Sequence, residues 1–246
     1  MTAIGREFLE KTKYKYAAVS DQELGLPQPP LQLTHPEDSD PVELPAPKQV
    51  EVKELPLREA IDNRKSVRDY TGESLTLGEL SFLLWCTQGV KEVTQRPVTI
   101  RTVPSAGARH AFETYLLVNN VLGLEPGLYR YLALEHKLLP VNLVSGVSEQ
   151  IAAAAGGQDI VADSAVTFIW SAVAYRMTWR YGERGYRYLF LDAGHVCQNL
   201  YLAVQAVGCG ACAIGFFDDD ALNALLTLDG VEQFVVYLAA VGKTKK

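Results

Sequence analysis

The sequence predicts an α+β domain, in which strands and helices mix without the regular strand–helix alternation of a doubly wound fold. Three observations carry that expectation. Ala165–Ala174 is a near-continuous apolar run rich in β-branched and aromatic residues, which reads as a core strand. Tyr188–Val207 repeats Leu191, His195, Val196, Leu200, Ala203, Val204 and Val207 at helical spacing, and Gly208 follows as its stop. Gly127–Tyr131 and His136–Pro140 face each other across Leu134-Glu135 as a hairpin, directly after a strand at Glu113–Val118 that ends in the turn Asn119-Asn120.

The other elements follow in order. Residues 1–50 read as an extended arm, with a weak helical pattern through Phe8 and Leu9. Leu26-Pro27-Gln28-Pro29-Pro30 and Leu44-Pro45-Ala46-Pro47 frame an acidic stretch within it. Proline lacks the N–H that helices and ladders need, so the arm is expected to lie extended against the body or a partner subunit. Residues 51–246 read as the folded domain. Leu57–Asn63 is a short helix. Thr76 and Glu79 form a capping box for a largely buried second helix that Gly89 ends. Val147–Ala155 is a short helix closed by Gly156-Gly157. Gly210–Phe216 is a strand or extended loop, Asp218-Asp219-Asp220 caps a helix over Ala221–Leu226, and Phe234–Val241 is a last buried strand.

Composition narrows the function. The 246 residues suffice for one large domain or two small ones, and a hydrophobic fraction of 48% is ordinary for a globular protein. A net charge of −6 leaves no basic excess for general nucleic-acid binding. The four cysteines are too few and too clustered for a disulfide framework, no basic-then-apolar leader opens the chain, and no apolar run approaches a membrane span. A reduced, cytoplasmic protein is expected.

Four stretches carry chemistry. Arg64-Lys65-Ser66-Val67-Arg68 sets three cations and a hydroxyl within five residues at a helix end, a grip for phosphate or a solvated basic patch. Pro104-Ser105-Ala106-Gly107-Ala108-Arg109 is a small-residue turn on which a flat ligand could lie, or a plain connection. Gly208–Asp218 holds a further glycine-bearing segment. Its Cys209-x-x-Cys212 has redox or metal half-site spacing, but no second Cys or His pair supports a metal, and the lead-in is a helix C-terminus. Lys243 follows the last strand closely enough to be held in place. His195 reads as a core histidine, whereas His110 stands beside the glycine turn. Tyr181–Tyr188 (YGERGYRY) could line a pocket or form a surface turn. No Ser-His-Asp constellation, P-loop or dinucleotide fingerprint is present.

In that order these stretches resemble the nitroreductase family of FMN-dependent oxidoreductases, over residues 57–245. The wording of RTVPSAGARHAFE, GLYRY, YRYLFLDAGHVCQNLYLA and AIGFFDD, with TKYKY and LPQPPL in the arm, is similar to the SagB-type branch. That branch includes dehydrogenases that oxidise azoline rings to azoles in modified peptides. The resemblance implies a central, mostly antiparallel sheet flanked by helices, with FMN at a homodimer interface. It implies that Arg64, Lys65, Ser66 and Arg68 hold phosphate, ribityl oxygens and the pyrimidine edge, with Lys243 and Lys245 at the phosphate. Pro104, Ser105, Ala106, Gly107 and Arg109 would come from the other subunit and cover the isoalloxazine, while Ala213, Ile214 and Gly215 bring a backbone N–H to flavin N5. No side chain is expected to perform the redox step, which belongs to the flavin. His110, Tyr181, Tyr186, Arg187 and Tyr188 are expected to line the substrate pocket, and no metal is expected.

Two departures from the drug-reducing branch matter. Gly107-Ala108-Arg109 stands where that branch often has Asn, and Ile214 where it often has Glu. They favour ping-pong hydride transfer on a heterocycle in a peptide-derived or other small substrate. NAD(P)H-driven reduction of nitro compounds or quinones is the alternative. A non-catalytic flavin-binding subunit of a peptide-modifying complex, and a flavin-free protein using Cys209 and Cys212, are further alternatives. Neither nucleic acid nor membrane is an expected partner.

Overall fold

The computed structural model describes residues 3–245. Its helices are α1 (Ile4–Lys11), α2 (Leu57–Asn63), α3 (Leu77–Gln88), α4 (Val147–Ala154), α5 (Asp159–Asp163), α6 (Ala174–Tyr181), α7 (Gly185–Ala206) and α8 (Asp219–Leu225). Its strands are β1 (Val42–Glu43), β2 (Leu75–Thr76), β3 (Val90–Val93), β4 (Thr99–Arg101), β5 (Phe112–Val118), β6 (Val121–Leu122), β7 (Gly127–Leu132), β8 (Lys137–Asn142), β9 (Val166–Val173), β10 (Cys209–Ile214) and β11 (Gln233–Lys243).

Seven strands form one sheet in the order β1-β8-β7-β5-β9-β11-β10, with every neighbouring pair antiparallel. The central strands are apolar on both faces because helices cover both. Leu116, Phe168 and Trp170 point into one core with Leu80, Leu84, Val196 and Leu200 of α3 and α7. Their neighbours Leu117 and Ile169 point the other way, against Ile151, Val161 and Leu222 of α4, α5 and α8. Side chains alternate along a strand, so a doubly covered antiparallel strand reads as an unbroken apolar run. The α+β expectation and the mostly antiparallel sheet hold.

Local chemistry sets the boundaries. Thr76 accepts the Glu79 N–H at 3.1 Å while the Glu79 carboxylate accepts the Thr76 N–H at 2.8 Å, closing the capping box. Asp218 caps α8 through the Ala221 N–H. Gly208, at φ 66°, follows the end of α7 in the left-handed conformation that lets the chain turn into β10.

Three expectations need correction. The long helix begins at Gly185 rather than Tyr188. Leu191 and His195 lie on its exposed face, Leu191 at 60% exposure. The core stripe runs through Leu189, Ala193, Val196, Leu200 and Ala203; a two-residue offset from it is about 200° around the helix. Helix α6 was not expected, because it continues from β9 with no Gly, Pro or side-chain cap to mark the change.

The arm lies against the body, largely extended after α1. Body side chains donate to carbonyls along it. Trp179 Nε1 donates to Leu26 O (3.0 Å), Arg176 Nε to Pro30 O (2.8 Å) and Arg130 Nη2 to Thr34 O (2.8 Å). Further on, β1 joins the sheet edge, Val42 opposite Leu138.

Candidate functional site

Arg64–Arg68 leaves the end of α2 and runs along the free edge of β10. Ser66 forms a parallel bridge with Ala211, and the Val67 N–H donates to Ala211 O at 2.9 Å. Gly210 permits this approach, since a Cβ there would stand 2.6 Å from Val67 Cβ. The Tyr70 hydroxyl donates to Ala240 O at 3.0 Å, and its ring lies over Gly242, where a Cβ would come within 2.5 Å. Both glycines thus serve contacts within the chain.

A cleft of 250 Å³ opens here between Arg64, Lys65, Tyr201, Gln205, Gly208 and Thr244. Arg64, Lys65, Ser66 and Arg68 are exposed, and among the described residues none of the three cations is in an ion pair. Arg64 and Lys65, which line it, make the cleft locally positive on a chain of net charge −6, and Arg68 adds charge further along the same edge. A phosphate monoester has the charge and oxygen geometry to use such donors.

Tyr201, on α7, organises this edge and was not expected. Its hydroxyl lies 3.0 Å from Ser66 Oγ and accepts the Ala213 N–H at 2.8 Å, and its ring stands 5.4 Å from the Arg64 guanidinium. Its spacing of four from buried Cys197 was the available signal for its position on the helix. The Ala213 N–H faces the free edge, and β10 ends one residue later at Ile214, where the chain leaves the sheet. Gly215 is exposed, with the nearest obstacle to a Cβ, Tyr237, at 3.8 Å. The Ile214 side chain instead points into the second core. An open, donor-bearing edge beside a cationic cleft fits the FMN implied by the resemblance.

Lys243 is held in place, but not free. Its ammonium pairs with Glu79 and donates to Val207 O at 2.9 Å. Lys245 is exposed.

The Pro104–Arg109 turn belongs to a different part of the surface. The Ala106 N–H donates to Asp192 Oδ1 of α7 at 3.2 Å, and the Arg109 guanidinium stands 5.2 Å from the Trp179 ring. A Cβ on Gly107 would meet the Tyr181 hydroxyl at 2.5 Å, so this glycine makes room for α6. Among the described residues no hydrogen bond or ion pair joins this turn to Arg64–Arg68, and the turn does not line the cleft beside Arg64.

The expected substrate-pocket residues separate. His110 is buried; desolvation, with Arg101 and Arg109 nearby, lowers its pKa to about 3, so it is a neutral core histidine rather than an open wall. Arg187 donates to Thr12 Oγ1 and Leu9 O, which commits it to the arm. Tyr181 and Tyr188 meet edge to face at 4.8 Å, and Tyr186 stacks on Phe234 at 6.4 Å. These three tyrosines remain half-buried at the surface.

Cys209 and Cys212 are unpaired and buried on one strand. Three apart, they point to opposite faces. Burial raises both thiols, Cys209 to about 12, which removes the reactive thiolate a redox pair needs. Among the described residues no cluster of His, Cys, Asp and Glu could hold a metal ion, and no helix is long and apolar enough to cross a membrane.

The model of the nitroreductase family matches residues 61–243. A nitroreductase-type protein of Methanocaldococcus jannaschii is 34% identical over 193 residues, 78% of this chain and 93% of its own. The trifolitoxin-processing protein TfxB of Rhizobium leguminosarum bv. trifolii is 29% identical over 133 residues, 52% of this chain and 36% of its own length. Among solved structures, the E. coli microcin synthetase McbBCD complex with truncated pro-MccB17 superposes with a TM-score of 0.64 at 18% identity, covering 99% of this chain and 92% of that one. A nitroreductase from Desulfovibrio desulfuricans in complex with FMN superposes at 0.55 and 19% identity, covering 79% and 89%.

Proposed function

This chain belongs to the nitroreductase family and is an oxidoreductase of that family, and from that premise we propose that it binds FMN and acts as a SagB-type dehydrogenase on a heterocycle in a peptide-derived substrate. The observation that carries the cofactor is the unpaired trio Arg64, Lys65 and Arg68 beside the open edge at Gly215. Bound FMN would supply the hydride transfer, taking reducing equivalents from one substrate and passing them to the next.

The chain's own part is placement. Arg64, Lys65, Arg68 and Lys245 neutralise the phosphate, and Ser66, oriented by Tyr201, serves a cofactor hydroxyl. The Gly215 N–H addresses the isoalloxazine edge, with Ala213 and Ile214 fixing that strand. Lys243 acts through Glu79, keeping the cleft floor in register. The separation of Pro104–Arg109 from the cleft supports the reading that this turn serves the site of a second copy in a homodimer. Tyr181, against Gly107 of that turn, and Tyr188, packed on Tyr181, serve as the substrate wall together with Tyr186, which stacks on Phe234. Residues 1–50 act as the arm and 51–246 as the FMN-binding domain. Unpaired cysteines fit a reducing compartment such as the cytoplasm.

The trifolitoxin-processing relative supports the peptide-derived substrate. The archaeal relative's name favours the second reading, NAD(P)H-driven reduction of nitro compounds or quinones. Stopped-flow mixing of the purified protein with NADH or NADPH separates them. Rapid bleaching of the flavin band supports the second reading, and its absence the first. A colourless protein that takes up no added FMN would sink both.

A further inference from the structure

We propose that Asp192 is the positioning residue of the Pro104–Arg109 turn, holding Ala106, as a carboxylate, in the conformation that presents the turn to the cofactor. The inference rests on reading that turn as a flavin-covering element.

The turn is strained. Gly107 (φ 58°), Ala108 (φ 52°) and His110 (φ 44°) all lie in the left-handed region, and two of them carry a Cβ. Such residues persist only where the surroundings over-determine them. Asp192 restrains its start, where Oδ1 accepts the Ala106 N–H at 3.2 Å. Ser105 Oγ, one residue earlier, accepts the His110 N–H at 2.9 Å and closes the far end. The carboxylate therefore fixes the residue on which the strained segment begins, and Ser105 spans the segment beside it.

The arrangement is poor for stability alone. Asp192 is 4% exposed, and its Oδ2 is buried with no hydrogen-bond partner. Desolvation raises its pKa, so the folded chain resists the charged form. A neutral amide of the same shape would avoid that cost. A group that opposes folding while restraining a strained turn belongs to the turn's task.

The test compares the full-length protein with Asp192→Asn and Ser105→Ala. FMN affinity is read by flavin fluorescence from about pH 5 to pH 8, and thermal midpoints are taken without FMN. Other charged or titratable groups near the carboxyl are His195 on α7, Arg109 and His110 on the turn, and Arg180 and Tyr181 on α6. All are common to the three proteins, as is the second ionisation of the FMN phosphate. The difference between profiles therefore reads Asp192. Asp192→Asn is expected to melt no lower than the wild type at the top of the range, yet to bind FMN roughly tenfold more weakly. Wild-type affinity is expected to fall towards that of the variant as the pH drops, a limb the variant lacks. Ser105→Ala should fall between them. An Asp192→Asn protein with wild-type affinity and an unchanged profile would overturn the proposal, as would one that is destabilised with its affinity intact. A wild-type protein that binds no FMN would remove the functional reading itself, and this inference with it.

Discussion

The Tyr201 hydroxyl lies 3.0 Å from Ser66 Oγ and takes the Ala213 N–H at 2.8 Å, so one phenol joins the basic segment to the edge of β10. Tyr201→Phe keeps the ring beside Arg64 and removes only this junction. It leaves a part-buried N–H without its partner, which costs about 1–3 kcal/mol. Urea denaturation should show that loss, and FMN affinity should fall with it. Unchanged values for both would mean that the hydroxyl is idle.

The unpaired cations predict a larger effect on the cofactor than on the fold. Arg64→Ala with Arg68→Ala removes two exposed charges that hold no acid within the chain. Each lost charge-assisted bond to phosphate should weaken FMN binding by about 1.5–3 kcal/mol. The thermal midpoint without cofactor should stay near that of the wild type. A double variant that purifies fully loaded with flavin refutes the phosphate assignment.

Beneath the arm, Arg176 and Glu113 form an ion pair at 2.6 Å, each 3% exposed. The same Glu113 oxygen accepts the Leu33 N–H at 2.9 Å. Arg176→Ala leaves a buried carboxylate unpaired and should destabilise the chain by about 3–5 kcal/mol. It also frees Pro30 O, so limited proteolysis should cut the arm before the body. An arm that stays protected would show that Arg176 does not hold it.

His110 predicts a pH dependence. Burial lowers its pKa to about 3 from an unfolded value of 6.5, so the unfolded chain binds the proton first. The stability from the neutral form is complete above pH 6.5 and is lost as the pH falls towards 3, by up to about 1.4 kcal/mol per pH unit. His110→Asn should flatten that limb, because Asn tolerates the left-handed φ of 44° and does not titrate. Denaturation midpoints across this range check it, and a variant with the wild-type slope would assign the limb to other groups.

Much of the fold was legible because its signals are local. Ala165–Ala174 reads as a core strand from its own side chains, and Thr76 with Glu79 marks a helix start across one turn. Helix α6 was not legible, since its start carries no cap and its buried Arg176 is explained by distant partners, Glu113, 63 positions earlier, and Pro30 O of the arm. Long-range pairing also decided His110, Arg187 and Lys243. Each looks available in sequence, and each is committed in space to the core, the arm or Glu79.

The sequence by itself determined the α+β class, the helix ends and the basic segment Arg64–Arg68, because periodicity, capping and charge spacing act over a few residues. Only the tertiary structure decided what that segment faces. It set Ser66 against Ala211, brought Tyr201 between them, and left the cations unpaired while pairing Lys243. Those outcomes depend on which distant groups share a buried surface, and burial decides whether a charge is neutralised or stays free for a ligand.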